Sequence, residues 1–470
     1  MVTLRNRAMY GIGGAVYAAK EAAYTMFVLL YFTQVLGLSG TLTGIVVAIS
    51  LVWDAVSDPM VGAWSDRFRS SFGRRRPFMI AAVVPSGLGF VGLFAPPDWV
   101  VDSTTALACW LLFWSLWVRT AVTFFSIPHL AQSVDITRDY YQRSKVLGAR
   151  MAVIFCVSVL LPAVALITVF AETNGVDGRF VADRYLYYGL MSCFLVWVAG
   201  GVSCCLVPTE QPLVVVKRSM LAAFLDTFSN RNFRFLLGYD IAATLSYGVI
   251  VSLNMLAWIY FWEFSAGQIS LILAFPSLVS IVAVMLTLDF WIQRFEKAQI
   301  LRIAIGAMLL NGLWLYPGRM LDLLPDNDSI ITLWLNVIFM LVFMYFFLLR
   351  AISSQSIAAD IADEHDLQIG QRQEGGFFAA LNFSNKIAFV LGPAYGGVVL
   401  DIIGLNKAMS PGLVPQEILD GLASWYMLGA GAPLIIAVLM ANGIRLSQNR
   451  VREIQQQLAD RATSDNQSAL

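Results

Sequence analysis

The sequence predicts an all-α membrane protein with twelve transmembrane helices in two six-helix bundles. Three observations predict it. Hydrophobic residues make up 58% of the 470 positions and charged residues 13%, against about 25% charged in soluble domains, and mean hydropathy is +0.69. Apolar stretches of bilayer-spanning length, about 20 residues each, recur along the whole chain. Basic residues concentrate in alternate loops. The formal net charge is +0, so no overall field draws nucleic acid or acidic partners.

The apolar stretches fall near 10–36, 41–64, 77–97, 105–131, 146–170, 185–207, 233–262, 268–291, 299–318, 330–358, 375–401 and 421–445. The short basic N-terminus leads into an apolar run too long for a signal peptide, which reads as the first span. The longest polar gap, 208–232, lies near the middle. The chain therefore divides into a bundle over 1–207, a linker over 208–232, a second bundle over 233–446 and a tail over 447–470. Val451, Ile454 and Leu458 make that tail amphipathic as far as Asp460, and disorder is expected over 464–470.

Orientation follows from the basic loops. Arg67, Arg69, Arg74, Arg75 and Arg76 follow the second span; Arg138, Arg143 and Lys145 follow the fourth; Lys217, Arg218, Arg231 and Arg234 lie in or beside the central gap. Both tails are basic as well. The positive-inside rule then places both termini in the cytoplasm; the expected location is the plasma membrane, the bacterial inner membrane. The five cysteines all fall in apolar stretches without metal-ligand spacing and read as buried structural thiols.

Ionisable residues inside spans point to function. Asp54 and Asp58 lie four apart, on one helix face. Each acid costs about 2.5–3.5 kcal/mol at a membrane-helix centre, so the pair requires a cation, a proton or a basic partner. A hard cation such as Na⁺ would take their oxygens, and a proton needs one carboxyl. Lys386, in the eleventh span, is a basic partner from the other half. Lys20 and Glu21 sit in the first span and, as sequence neighbours, are expected to face apart and to find separate partners. Arg119, Arg150, Asp240 and Arg350 complete the intramembrane set. Downstream of the acids, Gly62, Asp66, Arg67, Gly73, Arg74 and Arg75 form a loop that either gates the cytoplasmic side or anchors it. Gly62 is read there as a point of close helix approach. His129 is a proton relay, a substrate donor or a satisfied core histidine. Gly392-Pro393 with Gly396 and Gly397 marks a hinge or a close packing point.

The run Gly62-Ala63-Trp64-Ser65-Asp66-Arg67, then Gly73-Arg74-Arg75-Arg76-Pro77, resembles the major facilitator signature with extra residues before the second glycine. Together with Trp53-Asp54-Ala55-Val56-Ser57-Asp58-Pro59 upstream, it resembles the glycoside–pentoside–hexuronide:cation symporter family. Tyr10-Gly11-Ile12-Gly13, Thr33 to Ser39, Ile127-Pro128, Arg143 with Arg150, Ala359 to Asp363, Arg372-Gln373-Glu374 and Lys386 extend the resemblance over nearly the whole chain. It implies the major facilitator fold and cation-coupled symport of a sugar or glycoside-like solute. It implies a cation site at Asp54, Asp58 and Thr123, with Ser57 beside them and Lys386 as charge partner. Arg150 matches an arginine near the sugar. Two departures bear on mechanism. Ser57 stands where the family pattern has asparagine, which sets H⁺ beside Na⁺ as the coupling ion. The positions of two sugar-gripping acids hold Ala18 and Ser126, with Glu21 one turn away. Tyr24, Phe27, Phe124, Phe125 and Trp258 line the expected pocket or simply pack the bundle. The resemblance also takes in lysophospholipid carriers, so an amphipathic substrate is the alternative.

Beyond the coupling ion no cofactor is expected. The expected partners are a small solute and the lipid bilayer, with a monomeric chain. Two histidines and no H-E-x-x-H, G-x-S-x-G or nucleotide loop argue against an enzyme. A non-transporting receptor is the remaining class.

Overall fold

The computed structural model describes residues 3–136, 140–206, 227–369 and 374–468. Most of the predicted linker, together with Arg138, Arg372 and Gln373, lies outside the described residues, and so does the side chain of Arg143. The helices are α1 (Leu4–Ile12), α2 (Gly14–Ala22), α3 (Gly40–Arg67), α4 (Arg76–Leu93), α5 (Asp98–Val101), α6 (Thr104–Ile136), α7 (Tyr140–Thr168) and α8 (Ala182–Leu206). They continue as α9 (Arg231–Leu256), α10 (Ala266–Arg294), α11 (Lys297–Asn311), α12 (Leu315–Met320), α13 (Ile330–Ile369), α14 (Glu374–Ile403), α15 (Gln416–Ala441) and α16 (Gln448–Ser468). Among the described residues, 11 helices are long and apolar enough to cross a membrane. The predicted first span is not one of them. It is assembled from α1, α2 and π-helical turns at Ala23–Val28 and Tyr31–Val35. Gly13 separates the first two pieces, and a Cβ there would lie 2.6 Å from His129 Nε2.

The chain forms two compact units. One comprises Met1–Val215, Val251–Ala274 and Val390–Ala423; the other comprises Val216–Ile250, Phe275–Phe389 and Ser424–Leu470. This grouping follows contacts rather than the sequence halves.

Within the first unit the backbone carries a repeat that the side chains conceal. After the first span, Leu36 N–H bonds to Tyr31 C=O and Leu38 N–H to Phe32 C=O; then Ser39 caps α3 through Leu42 N–H. At an offset of about 226 positions, Trp262 N–H bonds to Ala257 C=O, Phe264 N–H to Trp258 C=O, and Ser265 accepts from Gln268 N–H. The turn residue has positive φ both times, +83° at Gly37 and 54° at Glu263. Only the glycine adopts that conformation without steric cost. Two equivalent positions of this repeat meet: Tyr260 donates its hydroxyl to Gln34 Oε1 at 3.0 Å.

Where α3 begins and α14 ends, the two helices touch backbone to backbone. A Cβ on Gly397 would fall 2.0 Å from Gly40 O, and one on Gly44 would fall 2.5 Å from Pro393 O. Gly396-Gly397 is thus a close packing point. Asp401 accepts the Gly40 and Thr41 N–H groups, each at 2.8 Å, one on each carboxylate oxygen. A carboxylate at a helix N-terminus is stabilised by the helix dipole and by otherwise unpaired N–H groups. Lys407 donates to Leu36 O at 3.4 Å, and Arg179 donates to Phe264 O at 2.8 Å.

In the second unit Asp240 on α9 accepts from Ser354 at 2.6 Å and from Arg350 at 3.5 Å, both on α13. Lys297 and Asp360 pair at 2.5 Å. The tail helix α16 packs on α13 and buries Ile454. It continues to Ser468, past the start of the predicted disorder, because no glycine or proline interrupts it. Of the five cysteines only Cys193 and Cys204 are buried; Cys156 is half-buried, and Cys109 and Cys205 are exposed; an apolar helix in a bilayer can turn a thiol outward without polar partners.

Candidate functional site

Asp54 is the centre of a buried cluster. It is 4% exposed. Its Oδ2 accepts from Lys20 Nζ and from Arg119 Nη1, both at 2.8 Å. Its Oδ1 faces Thr123 Oγ1 at 3.5 Å, and the same hydroxyl lies 2.9 Å from Asp58 Oδ1. A hydroxyl has one proton to give, so the short contact takes it and Thr123 donates to Asp58. Three helices supply the components. The i, i+4 spacing on α3 presents both acids, α6 supplies Arg119 and Thr123 one turn apart, and α2 supplies Lys20. Arg119 is fixed further by Ser50, which accepts from its Nε at 2.8 Å, and by the Tyr24 ring, 4.4 Å from the guanidinium carbon.

Ser57 turns back onto its own helix and donates to Asp54 O at 3.4 Å. Lys20 and Glu21 do meet, at 3.4 Å, contrary to the expectation for sequence neighbours; both side chains are long enough to bend together. Lys386 lies on α14 in the second unit. Arg119 and Lys20 are the counter-charges that sequence reasoning left without a role. Their signal was visible: basic residues in mid-span, on helices flanking the acids.

A second constellation surrounds His129. Tyr10 donates its hydroxyl to His129 O at 2.9 Å, His129 Nε2 lies 3.0 Å from Tyr10 O, and Arg150 Nε lies 3.3 Å from His129 Nδ1. A carbonyl only accepts and an arginine only donates. The ring is therefore neutral, with its proton on Nε2. The two rings stack at 4.3 Å. That geometry makes His129 a satisfied core residue. Ala18 and Ser126 are buried nearby in register. Ala18 lies one turn beyond Gly14, whose added Cβ would stand 2.8 Å from Arg150 O, and Ser126 lies three residues before His129.

The expected aromatic pocket resolves into separate environments. Phe27 packs with Phe170 and Tyr188 in the core. Phe125 stacks on His129. Trp258 is buried in the π turn Ala257–Phe261. Phe124 instead lines an apolar groove of about 430 Å³ with Trp53, Pro85, Phe113 and Trp117.

In the α3–α4 loop, Arg75 pairs with Asp66 at 3.0 Å and also donates to Ala131 O. Arg76 donates to Cys205 O at 3.2 Å. Gly73 has φ +92° and closes the turn onto Ser70. Arg74 is buried and Arg67 exposed. Gly62 departs from its expected part: a Cβ there would meet Ile127 at 3.6 Å, an ordinary contact. Gly62→Ala should therefore raise stability by up to about 1 kcal/mol through helix propensity. A melting midpoint lowered by more than a few degrees would show that the position needs glycine.

A helical membrane bundle with carboxylates and counter-charges buried at mid-span has the construction of a secondary transporter, not of an enzyme. The chain belongs to the MFS/sugar transport protein family, whose model matches residues 9–447. It is 26% identical over 468 residues to the putative glycoside/cation symporter YagG of Escherichia coli, covering 97% of this chain and 95% of that one. It is 28% identical over 149 residues to the chicken sodium-dependent lysophosphatidylcholine symporter 1, covering 32% of this chain and 28% of that one. The fold matches the crystal structure of a bacterial homologue of the human lysosomal transporter Spinster with TM-score 0.64 at 14% identity, over 96% of this chain and 99% of that one.

Proposed function

We propose that the protein is a symporter that couples a monovalent cation, H⁺ or Na⁺, to a sugar or glycoside-like solute by alternating access. The observation that carries this is the Asp54–Thr123–Asp58 cluster. Asp54, Asp58 and Glu21 meet Lys20 and Arg119 there. A monovalent cation held by a carboxylate offsets its charge inside the membrane. Asp54 already holds two cations, so Asp58 with Thr123 receives the coupling ion. Lys386 acts on this site from the second half, as the resemblance implies. Neutralisation lowers the cost of closing the halves around the solute, and this links the two fluxes. Both termini face the cytoplasm, the α3–α4 loop controls that side, and the chain works as a monomer.

The test is gradient-driven uptake in proteoliposomes. Asp58→Asn should abolish accumulation driven by a cation gradient while the protein remains folded. Unchanged driven uptake would sink the reading. Melting midpoints with and without Na⁺ at two pH values identify the ion.

The second reading is a carrier of a lysophospholipid, favoured by the groove lined by Trp53, Phe113, Trp117 and Phe124 and by the partial match to the lysophosphatidylcholine symporter. Stabilisation by lysophosphatidylcholine but by no glycoside would select it.

A further inference from the structure

We propose that the groove on the flank of α3, α4 and α6 holds one acyl chain of a resident acidic phospholipid, that its headgroup rests on Arg67 and Arg69, and that this lipid braces the ion cluster from behind. The lipid stays in place, whatever the solute. The groove, of about 430 Å³, has rigid walls. Trp53 donates its indole N–H to Thr120 Oγ1 at 2.8 Å, and Trp117 donates to Pro85 O at 3.0 Å. Each ring therefore has its only polar atom satisfied within the protein and offers the groove apolar surface. Phe113 and Phe124 complete the lining. On a membrane span, surface of this kind meets acyl chains.

The groove leads to a basic mouth. Phe124 stacks with Phe78 at 5.9 Å, and Phe78 meets Phe68 edge to face at 5.3 Å. On α3 itself Trp53, Val56, Met60, Trp64 and Arg67 follow one another at i+3 or i+4, and all are exposed. At about 1.5 Å per residue this stripe is about 21 Å long. That matches one leaflet, about 15 Å of hydrocarbon and about 6 Å of headgroup region. The positive-inside rule puts its basic end at the cytoplasmic face. Among the described residues neither Arg67 nor Arg69 has a carboxylate partner. Arg69 donates to the carbonyls of Asp66 and Phe68, and the Asp66 carboxylate is taken by Arg75 at 3.0 Å. Two exposed guanidinium groups at the interface attract a phosphodiester. A net-negative headgroup suits them better than phosphatidylcholine, whose own ammonium competes for the phosphate. The ion cluster lies directly behind the wall. Asp54 follows Trp53 in sequence and Arg119 precedes Thr120, so a chain in the groove presses on the α3–α6 contact that carries the Asp54–Arg119 pair.

The experiment gives the purified protein phosphatidylglycerol or phosphatidylcholine, each with a photoreactive diazirine at the end of one acyl chain. Native mass spectrometry should show one phosphatidylglycerol retained ten-fold or more strongly than phosphatidylcholine. On irradiation its chain end should label peptides bearing Trp53, Phe113 or Trp117 and few others. Arg67→Gln with Arg69→Gln should abolish the preference between headgroups. Ala81→Phe, which fills the groove from an exposed position in its lining, should abolish the labelling. Equal retention of the two lipids, or labelling spread evenly over the exposed spans, overturns the site. Both readouts are made on the wild-type chain, so they decide the matter even where a variant fails to fold. The bracing is read as cation-driven glycoside uptake, and this arm alone rests on the symport reading. Uptake should be three-fold or more faster in vesicles of phosphatidylethanolamine with phosphatidylglycerol than in vesicles of phosphatidylethanolamine with phosphatidylcholine at the same ratio. Ala81→Phe should lose that difference. Equal uptake in the two vesicles overturns the bracing and leaves symport standing. No driven uptake in either overturns symport and the bracing with it, and leaves the lipid site to the binding readouts. Driven movement of the phospholipid itself would make it cargo and overturn its residence.

Discussion

Arg119→Leu is expected to give a protein that cannot concentrate solute and that melts at much lower temperature. Asp54 Oδ2 is held by two cations at 2.8 Å, and removal of Arg119 takes one of them away. Breaking a buried pair from one side costs about 3–5 kcal/mol, because the remaining charge stays buried without compensation. The same change releases Ser50 and removes the cation stacked on Tyr24. With Asp54 less well paired, the cluster gains effective negative charge. It then binds the coupling ion without releasing it, so exchange outlasts net uptake. The double variant Arg119→Leu with Asp54→Leu should recover much of the stability and none of the coupling. Paired measurements of melting and driven uptake check this; a single variant as stable as wild type would mean that the pair is not what holds α3 against α6.

Gly397→Ala is expected to have the next largest effect, at a place far from any ion. Its new Cβ would sit 2.0 Å from Gly40 O and 2.7 Å from Gly40 C. Both atoms are backbone, so no rotamer change relieves the clash. The two helices must separate, and with them go the two Asp401 bonds that cap α3 and the Tyr260–Gln34 contact. Asp401→Ala removes the cap alone and should cost about 1 kcal/mol. If this junction closes one side of the transport path, Gly397→Ala holds that side open. Driven uptake should fall by ten-fold or more. A cysteine placed at Leu36, buried in the closed junction, should react with a membrane-impermeant thiol reagent at least ten times faster. Unchanged labelling would mean that the junction does not gate.

The helical class and the general course of the spans were legible because bilayer length and charge asymmetry are written locally in composition. The acid pair was legible too, since i, i+4 spacing survives folding. What composition could not show was which cation answers which acid. Lys20 and Arg119 lie on separate helices, 34 and 65 residues from Asp54, and only packing brings them together. The resemblance drew attention to Lys386, on a helix of the other half. Ser57 has a local partner that its type makes common: a serine on a helix readily bonds its own backbone, as this one does. Gly62 looked like a packing glycine because it sits in a motif, while Gly40 and Gly44, which allow backbone contact, sit in no motif; Gly397, opposite them, was marked as a hinge or close packing point. The internal repeat also escaped notice: it survives as a hydrogen-bond pattern and a positive φ, with glycine at one copy and glutamate at the other.

The π turns of the first span set a phase. Each inserts the equivalent of an extra residue into an α-helix, and a residue corresponds to about 100° of rotation. Deleting one residue between Tyr31 and Val35 would let the helix relax to regular α geometry without loss of any cluster side chain. Everything upstream would then turn by about 100° relative to the capped start of α3. Lys20, about three turns away along the helix, would swing off Asp54, and Tyr10 would swing off His129. Length changes in this stretch would therefore disable the ion cluster as errors of rotation, with every ligand still encoded.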